Sequence, residues 1–377
     1  MKLEKPIFWL AIAGLVIGAY GMFVKAAQGN LAANIGSFIP WGLGVAAYAY
    51  LMGLSAGSFL LSAAAYAFKI KSLENLKKPG LIIAFSTAIP GMLLVFADIG
   101  HPFRIFTSAL HLNTGSIVGW LFLLYPIYLV ILIAMLWLTS DEKRSVKTLA
   151  IAGIIVAVAF ELAGGALYGV IGARTYWNPF LLPLMFLAAA LLSGFALVAF
   201  ASYILCSDRE GTIENVRSLG NVILLLIALY TLLEILDIAS IYYSGVPADI
   251  NSINLVLFGS FAWVFWGFFV LGNVLIPAGL LAFKRNAVWS VPLASFFIGI
   301  SSLSTKLNTV IPGLAVPEMT GLETAFVHQR LSFSYFPSTM EWLEFIFALS
   351  LAAFLIIIGN RMLVERKTVS SLLKEMI

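Results

Sequence analysis

Ten apolar runs divide this chain, each near or above the roughly 20 residues that an α-helix needs to cross about 30 Å of hydrocarbon. They fall near Ile7 to Val24, Trp41 to Phe68, Leu81 to Ile99, Ile117 to Leu138, Leu149 to Ile171, Leu181 to Leu205, Val222 to Tyr242, Phe261 to Phe283, Trp289 to Thr309 and Met340 to Met362. Inside lipid every backbone N–H and C=O must be satisfied within the protein, so continuous apolar runs of this length dictate helices. Charged residues make up only 11% of the chain, against about 25% in soluble domains, so little polar surface is left for an aqueous domain. The expected fold is all-α: a polytopic membrane protein of about ten transmembrane helices.

The basic residues set an orientation. Seventeen of the 22 lie on one side of this topology, in Lys2 and Lys5, the group Lys69, Lys71, Lys77 and Lys78, then Lys143, Arg144 and Lys147, and later groups ending at Lys374. Lys25, Arg104, Arg174, Lys306 and Arg330 fall on the other. The positive-inside rule then places both termini in the cytoplasm. The net charge of +4 is thereby a record of topology and no argument for nucleic acid as a partner. The first run has no small-residue cleavage pattern after it and is read as a span. Connections are short except for about thirty residues between spans nine and ten.

A faint internal echo relates Ala97-Asp98-Ile99 in span three to Leu236-Asp237-Ile238 in span seven, and Ala56-Gly57 to Ser193-Gly194. It suggests two related four-helix bundles, spans two to five (about 41–171) and six to nine (about 181–309), with spans one and ten peripheral. Small residues are dense in span two, where they let helix backbones approach closely.

The residues with most chemical potential lie at the outer end of span three, in Asp98-Ile99-Gly100-His101-Pro102-Phe103-Arg104. An ionisable group at membrane depth costs about 2.5 to 3.5 kcal/mol even on lenient insertion scales, so an acid, an imidazole and a guanidinium this close together need a purpose. Glycine suits a helix end and proline a helix start, so span three should stop near Ile99 and a short helix begin at Pro102. A quinone fits such a site: it diffuses in lipid, offers two carbonyl oxygens, and exchanges two protons with two electrons. In that reading His101 donates to one oxygen and exchanges its proton. Asp98 orients the ring, and Arg104 stabilises an anionic, one-electron-reduced ring or anchors Asp98. The structural alternative is an Asp98–Arg104 pair that only pins the loop. Trp41, Trp120, Tyr176 and Trp177 map to the same side and could wall a pocket.

Resident redox centres are disfavoured. The three histidines, His101, His111 and His328, all fall outside the spans, where they cannot clamp a haem between helices, and the ligand spacing of a metal site is absent. A single cysteine, Cys206, cannot supply the four thiolates of an iron–sulfur cluster. Within the spans stand Glu161, Glu234 and Asp237, the last two one turn apart above Tyr230, with Lys306 as a candidate counter-charge. Carboxylates at such depth are neutral, paired, or part of a proton route. Span ten opens with Ser338-Thr339-Met340-Glu341, which reads as an N-cap with acids in the favourable first turn.

Taken together, Pro40-Trp41-Gly42, Gly53-x-Ser55-Ala56-Gly57-Ser58, Asp98-x-Gly100-His101-Pro102-x-Arg104 and Tyr335-x-Pro337-Ser338-Thr339-x-Glu341-Trp342 resemble the NrfD/polysulfide-reductase family of membrane subunits, in particular its ten-span branch. That resemblance implies two four-helix bundles and a subunit without haem or iron–sulfur cluster of its own. It implies electron exchange between menaquinone or ubiquinone, as substrate, and an iron–sulfur electron-transfer subunit joined to a catalytic redox subunit. Asp98, His101 and Arg104 match the quinone pocket, with Trp41 and Trp120 as its aromatic neighbours, and Glu161, Glu234 and Asp237 match a proton path. Two further readings stay open from the residues alone: a proton-coupled transporter using the same carboxylates, and a structural anchor for peripheral redox subunits.

Overall fold

The computed structural model describes residues 4–99, 104, 107, 111–140, 145–178, 180–205, 209–284, 287–317, 319, 321–325, 328, 330 and 331–364. Regular structure among these is entirely helical. The long elements are α1 (Glu4–Gln28), α2 (Leu43–Phe68), α3 (Lys77–Asp98), α4 (Ile117–Leu138), α5 (Lys147–Gly169), α6 (Leu181–Leu205) and α7 (Arg209–Ser244). After the shorter α8 (Pro247–Leu257), a π-helical stretch, Val264–Leu275, runs straight into α9 (Ile276–Phe283). Then come α10 (Ser290–Ser301), α11 (Leu303–Val310), the single turn α12 (Pro312–Ala315) and α13 (Thr339–Gly359).

Nine helical stretches among the described residues are long and apolar enough to cross a membrane. The one expected run not among them, the ninth, Trp289 to Thr309, is broken into α10 and α11 at Ser302. The cause is local. Ser302 donates its hydroxyl to the Ile298 carbonyl at 2.7 Å, Ser304 to Ser301 at 2.6 Å and Thr305 to Ser302 at 2.8 Å. Such back-bonding competes with the helical ladder and bends it. The freed backbone is tolerated because the segment is enclosed by protein: Ser301, Ser302, Ser304, Thr305 and Lys306 are all buried.

α2 is the hub, with 83% of its most apolar stretch buried, and it packs on α3, α5 and α6. One core lies among α2 to α5, where Phe59, Tyr128 and Phe160 interlock. A second runs from α6 through α7 to α11 around Phe186, Tyr230, Phe269 and Ile298. The two meet where α2 crosses α6. A Cβ on Gly194 would stand 2.5 Å from Gly57 Cα, so only glycine permits that crossing. α1 and α13 lie together on the flank, and a Cβ on Gly18 would collide with the Phe347 backbone at 2.6 Å. Outward, α1, α4 and α7 expose Leu10, Val130 and Leu225, the surface of a helix solvated by lipid.

The ends of α1 and α13 are fastened by charge. Arg361 donates Nε to Glu4 Oε1 at 2.5 Å, both buried, at the end of the molecule opposite Asp98. At the Asp98 end, Ser338 accepts from the Glu341 N–H at 3.2 Å while Glu341 Oε2 accepts from the Ser338 N–H at 2.8 Å. The N-cap expected from sequence is thus a reciprocal capping box.

A candidate quinone cavity at the end of α3

α3 stops at Asp98, and Ile99 is extended. A carboxylate in the last turn of a helix opposes the helix dipole, so Asp98 needs a cation. It has one from α1. Lys25 donates Nζ to Asp98 Oδ1 at 3.0 Å and lies 4.0 Å from Glu344 Oε2 of α13. Lys25 is 3% exposed, and its place in the last turn of α1 favours positive charge. A buried ammonium between two carboxylates satisfies the rule that buried charge must be paired. Asn30 adds a donor to the Asp98 carbonyl at 3.5 Å.

Beside Asp98 opens a cavity of about 390 Å³ between α2, α3, α4 and α5. Trp41, Tyr48, Phe122, Tyr125 and Tyr168 supply its aromatic wall. Trp41 is held by stacking on Trp177, with ring centroids 6.0 Å apart, and by an edge contact to Tyr168 at 5.6 Å. Trp177 is in turn fixed by its indole N–H, which donates to the Thr309 carbonyl at 2.8 Å. A second cavity of about 260 Å³ adjoins the first, sharing Val95, Phe122 and Tyr125, and continues between α3 and α4 past Met92, Phe96, Pro126 and Leu129. Its walls are apolar, and Pro126 is exposed on the lipid-facing side of α4.

On the other side of Tyr48 and Tyr125 is a small space of about 20 Å³, room for one water, lined by Phe160, Glu161 and Phe186. The two phenol hydroxyls are hydrogen-bonded to each other across the partition, and either can be the donor. Glu161 is 3% exposed. Lys306 reaches over the Phe186 ring at 3.2 Å from its centroid and interacts electrostatically with Glu161. Further along α7, Tyr230 lies near Glu234 and Thr305. Asp237 Oδ1 is buried without a hydrogen-bond partner among the described residues. Tyr176 donates its hydroxyl to the Asn308 carbonyl at 3.1 Å, and burial, then Asp237, Glu234 and Asp249, hold its phenol far above the usual range.

The expected site residues are thus distributed unequally. Asp98 and Trp41 line the cavity, while Trp120 of α4 is 47% exposed and is not among the residues lining it. Arg104 is exposed, its carbonyl accepting the Thr107 hydroxyl at 2.8 Å. His101, Gly100 and Pro102 lie outside the described residues. Trp177 supports the wall through Trp41 and Tyr168 rather than lining it, and Tyr176 is not among the lining residues. Three groups escape a reading of the sequence: Lys25, Glu344 and the Tyr48–Tyr125 pair. In the sequence Lys25 counts only toward the orientation and Glu344 only as an acid near the start of span ten, and no local pattern marks tyrosines five to eight residues inside a span.

The fold and this site define a class: an all-helical polytopic membrane protein with an aromatic cavity, bordered by one ion-paired carboxylate, that continues between two helices toward lipid. The chain belongs to the polysulphide reductase NrfD family, which it matches over residues 33–318. It is 27% identical over 380 residues to a selenate reductase subunit from Mesobacillus selenatarsenatis, covering 90% of this chain and 89% of that one. It is 24% identical to the Hdr-like menaquinol oxidoreductase integral membrane subunit of Archaeoglobus fulgidus, covering 98% and 96% of the two chains. A shorter match, 25% identical over 134 residues and covering 35% and 32%, is to the menaquinone reductase integral membrane subunit of Nitratidesulfovibrio vulgaris.

Proposed function

We propose that this chain is the quinone-reactive membrane subunit of a respiratory oxidoreductase. It exchanges electrons between a quinone pool, menaquinone or ubiquinone, and an extracytoplasmic iron–sulfur subunit that serves a catalytic redox subunit. The observation that carries this reading is the cavity beside Asp98, large enough for a quinone head and adjoined by an apolar cleft that could take its tail. Relatives whose names specify menaquinol or menaquinone oxidoreductase membrane subunits support the choice of substrate class.

In this reading both termini are cytoplasmic, residues 41–171 form the quinone-binding bundle, and residues 181–309 form the second. Asp98 accepts or returns a proton at one ring oxygen, held in place by Lys25. Trp41 and Phe122 stack against the ring and exclude water from that side. His101 and Arg104, the other two residues of the sequence motif, are assigned to the same quinone chemistry. Glu161, Glu234 and Asp237, with Lys306 between the bundles, carry protons away from the site. Electrons leave one at a time to a redox centre of the partner.

The test is quinol-driven reduction of the partner's iron–sulfur or haem chromophores in the purified complex. An assembled Asp98→Asn complex should reduce them about 10²-fold more slowly, the usual worth of a positioned acid–base group. Equal rates would move the quinone chemistry away from α3.

A further inference from the structure

The quinone cavity and the small space around Glu161 share a partition of Tyr48, Tyr125, Leu167 and Tyr168, in which the Tyr48 and Tyr125 hydroxyls are hydrogen-bonded to each other. Both phenols line both spaces. Their rings stand nearly perpendicular, at 89°, and Tyr125 is braced edge-on by Phe160 at 5.4 Å. The pair is therefore positioned by packing, and its hydroxyls sit where the cavity end away from Asp98 meets the space containing the carboxylate.

We propose that the Tyr48–Tyr125 pair is the proton relay between the quinone and Glu161. This rests on the reading of the cavity as the quinone site. A quinol has two hydroxyls at opposite ends of its ring. Asp98 serves one end, and the phenols of Tyr48, Tyr125 and Tyr168 line the cavity as well, of which Tyr48 and Tyr125 are the two joined by a hydrogen bond and so able to pass a proton on.

The step balances without charge left on either phenol. One tyrosine takes the quinol proton on its oxygen as it passes its own proton to the second tyrosine. The second passes its proton to the Glu161 carboxylate, through the one-water space, and each phenol ends with the single proton it began with. The two electrons go singly to the one-electron iron–sulfur or haem acceptor of the partner, and the second proton goes to Asp98. Quinone reduction runs the same relay backwards, which a hydroxyl–hydroxyl hydrogen bond allows because either oxygen can be the donor. Lys306, which lies over the Phe186 ring, is the cation that interacts electrostatically with Glu161.

The experiment uses the complete complex, assayed with a soluble quinol and an artificial acceptor, as wild type, Tyr125→Phe, Glu161→Gln and the double variant, with Asp98→Asn as reference. Phenylalanine keeps the ring packing and removes only the relay atom. The relay predicts that each single variant loses about 10²-fold in kcat. It also predicts KM within about two-fold of wild type, a larger solvent deuterium isotope effect, and a double variant no slower than the slower single one. Wild-type kcat in Tyr125→Phe beside a slow Glu161→Gln would overturn it, as would the reverse pattern. So would a double variant whose loss is the product of the two. Wild-type rates in all variants, Asp98→Asn included, would instead sink the assignment of the cavity itself. If Tyr125→Phe prevents assembly, Tyr48→Phe removes the other hydroxyl of the same bond and faces the same criteria.

Discussion

Asp98 stands out in the sequence because a carboxylate at a membrane edge is costly, and the structure shows what compensates it. Its partner, Lys25, is 73 residues away and reaches it only because α1 packs against α13 beside the end of α3. No local pattern announces that contact, and Arg104 is the nearer cation in sequence. Removing Lys25 leaves Asp98 and Glu344 facing each other at a helix C-terminus, and breaking such a buried pair costs about 3 to 5 kcal/mol. Lys25→Met should therefore lower the thermal midpoint of the complex markedly in a nanodisc melt. Asp98→Asn in the same chain should restore part of the loss. A Lys25→Met protein as stable as wild type would mean the ion pair is not formed. Just before α13, Tyr335 donates to Glu341 Oε1 at 2.6 Å, and burial, then that carboxylate, push its phenol far above the usual range. Tyr335 therefore stays protonated at any working pH, and its hydrogen bonds to Glu341 and to the Leu43 N–H at 2.6 Å lock the start of α2.

Hydropathy resolves the elements well where the run is uniform. α2, α4 and α6 end within two or three residues of the expected limits. The interruption at Ser302 is hidden because a window average sees a run of Leu, Ile and Phe and dilutes the hydroxyls that bend it. The π-helical stretch is hidden for a related reason, since one extra residue per turn leaves composition unchanged. Close approach is half legible: small residues in α2 announce tight packing, but not that Gly57 meets Gly194. That crossing joins the two cores, and overpacking of this kind costs about 1 to 3 kcal/mol. Gly194→Val should lower the melting temperature of the purified complex and shift proteolysis toward loops that connect the cores. Unchanged stability would show that α6 can slide away from α2.

Across the whole molecule the buried ionisable groups are not spread evenly through the membrane. Glu161 is eight residues from the end of α5 on the Asp98 side, roughly 12 Å at 1.5 Å per residue. Asp237 is seven residues from the matching end of α7, roughly 10 Å by the same rise. Asp98, Tyr48, Tyr125, Glu161 and Lys306 thus belong to one half of the bilayer, and Lys306 carries the series from the first core to the second. The candidate site is legible in sequence as a chemical type, an acid among aromatics at a membrane edge. Its shape is not, because a cavity between four helices depends on how α3 and α4 diverge, which no single run encodes. The most direct measurement of where quinone binds is photolabelling of the native complex with an azido-quinone, followed by mass-spectrometric mapping of the modified peptides. The predicted label falls on Trp41–Tyr48 of the α2 start, Met92–Asp98 of α3 and Val118–Tyr125 of α4, and is competed away by unlabelled quinone. Competable labelling confined to α7 or α10 would contradict a quinone site at the end of α3.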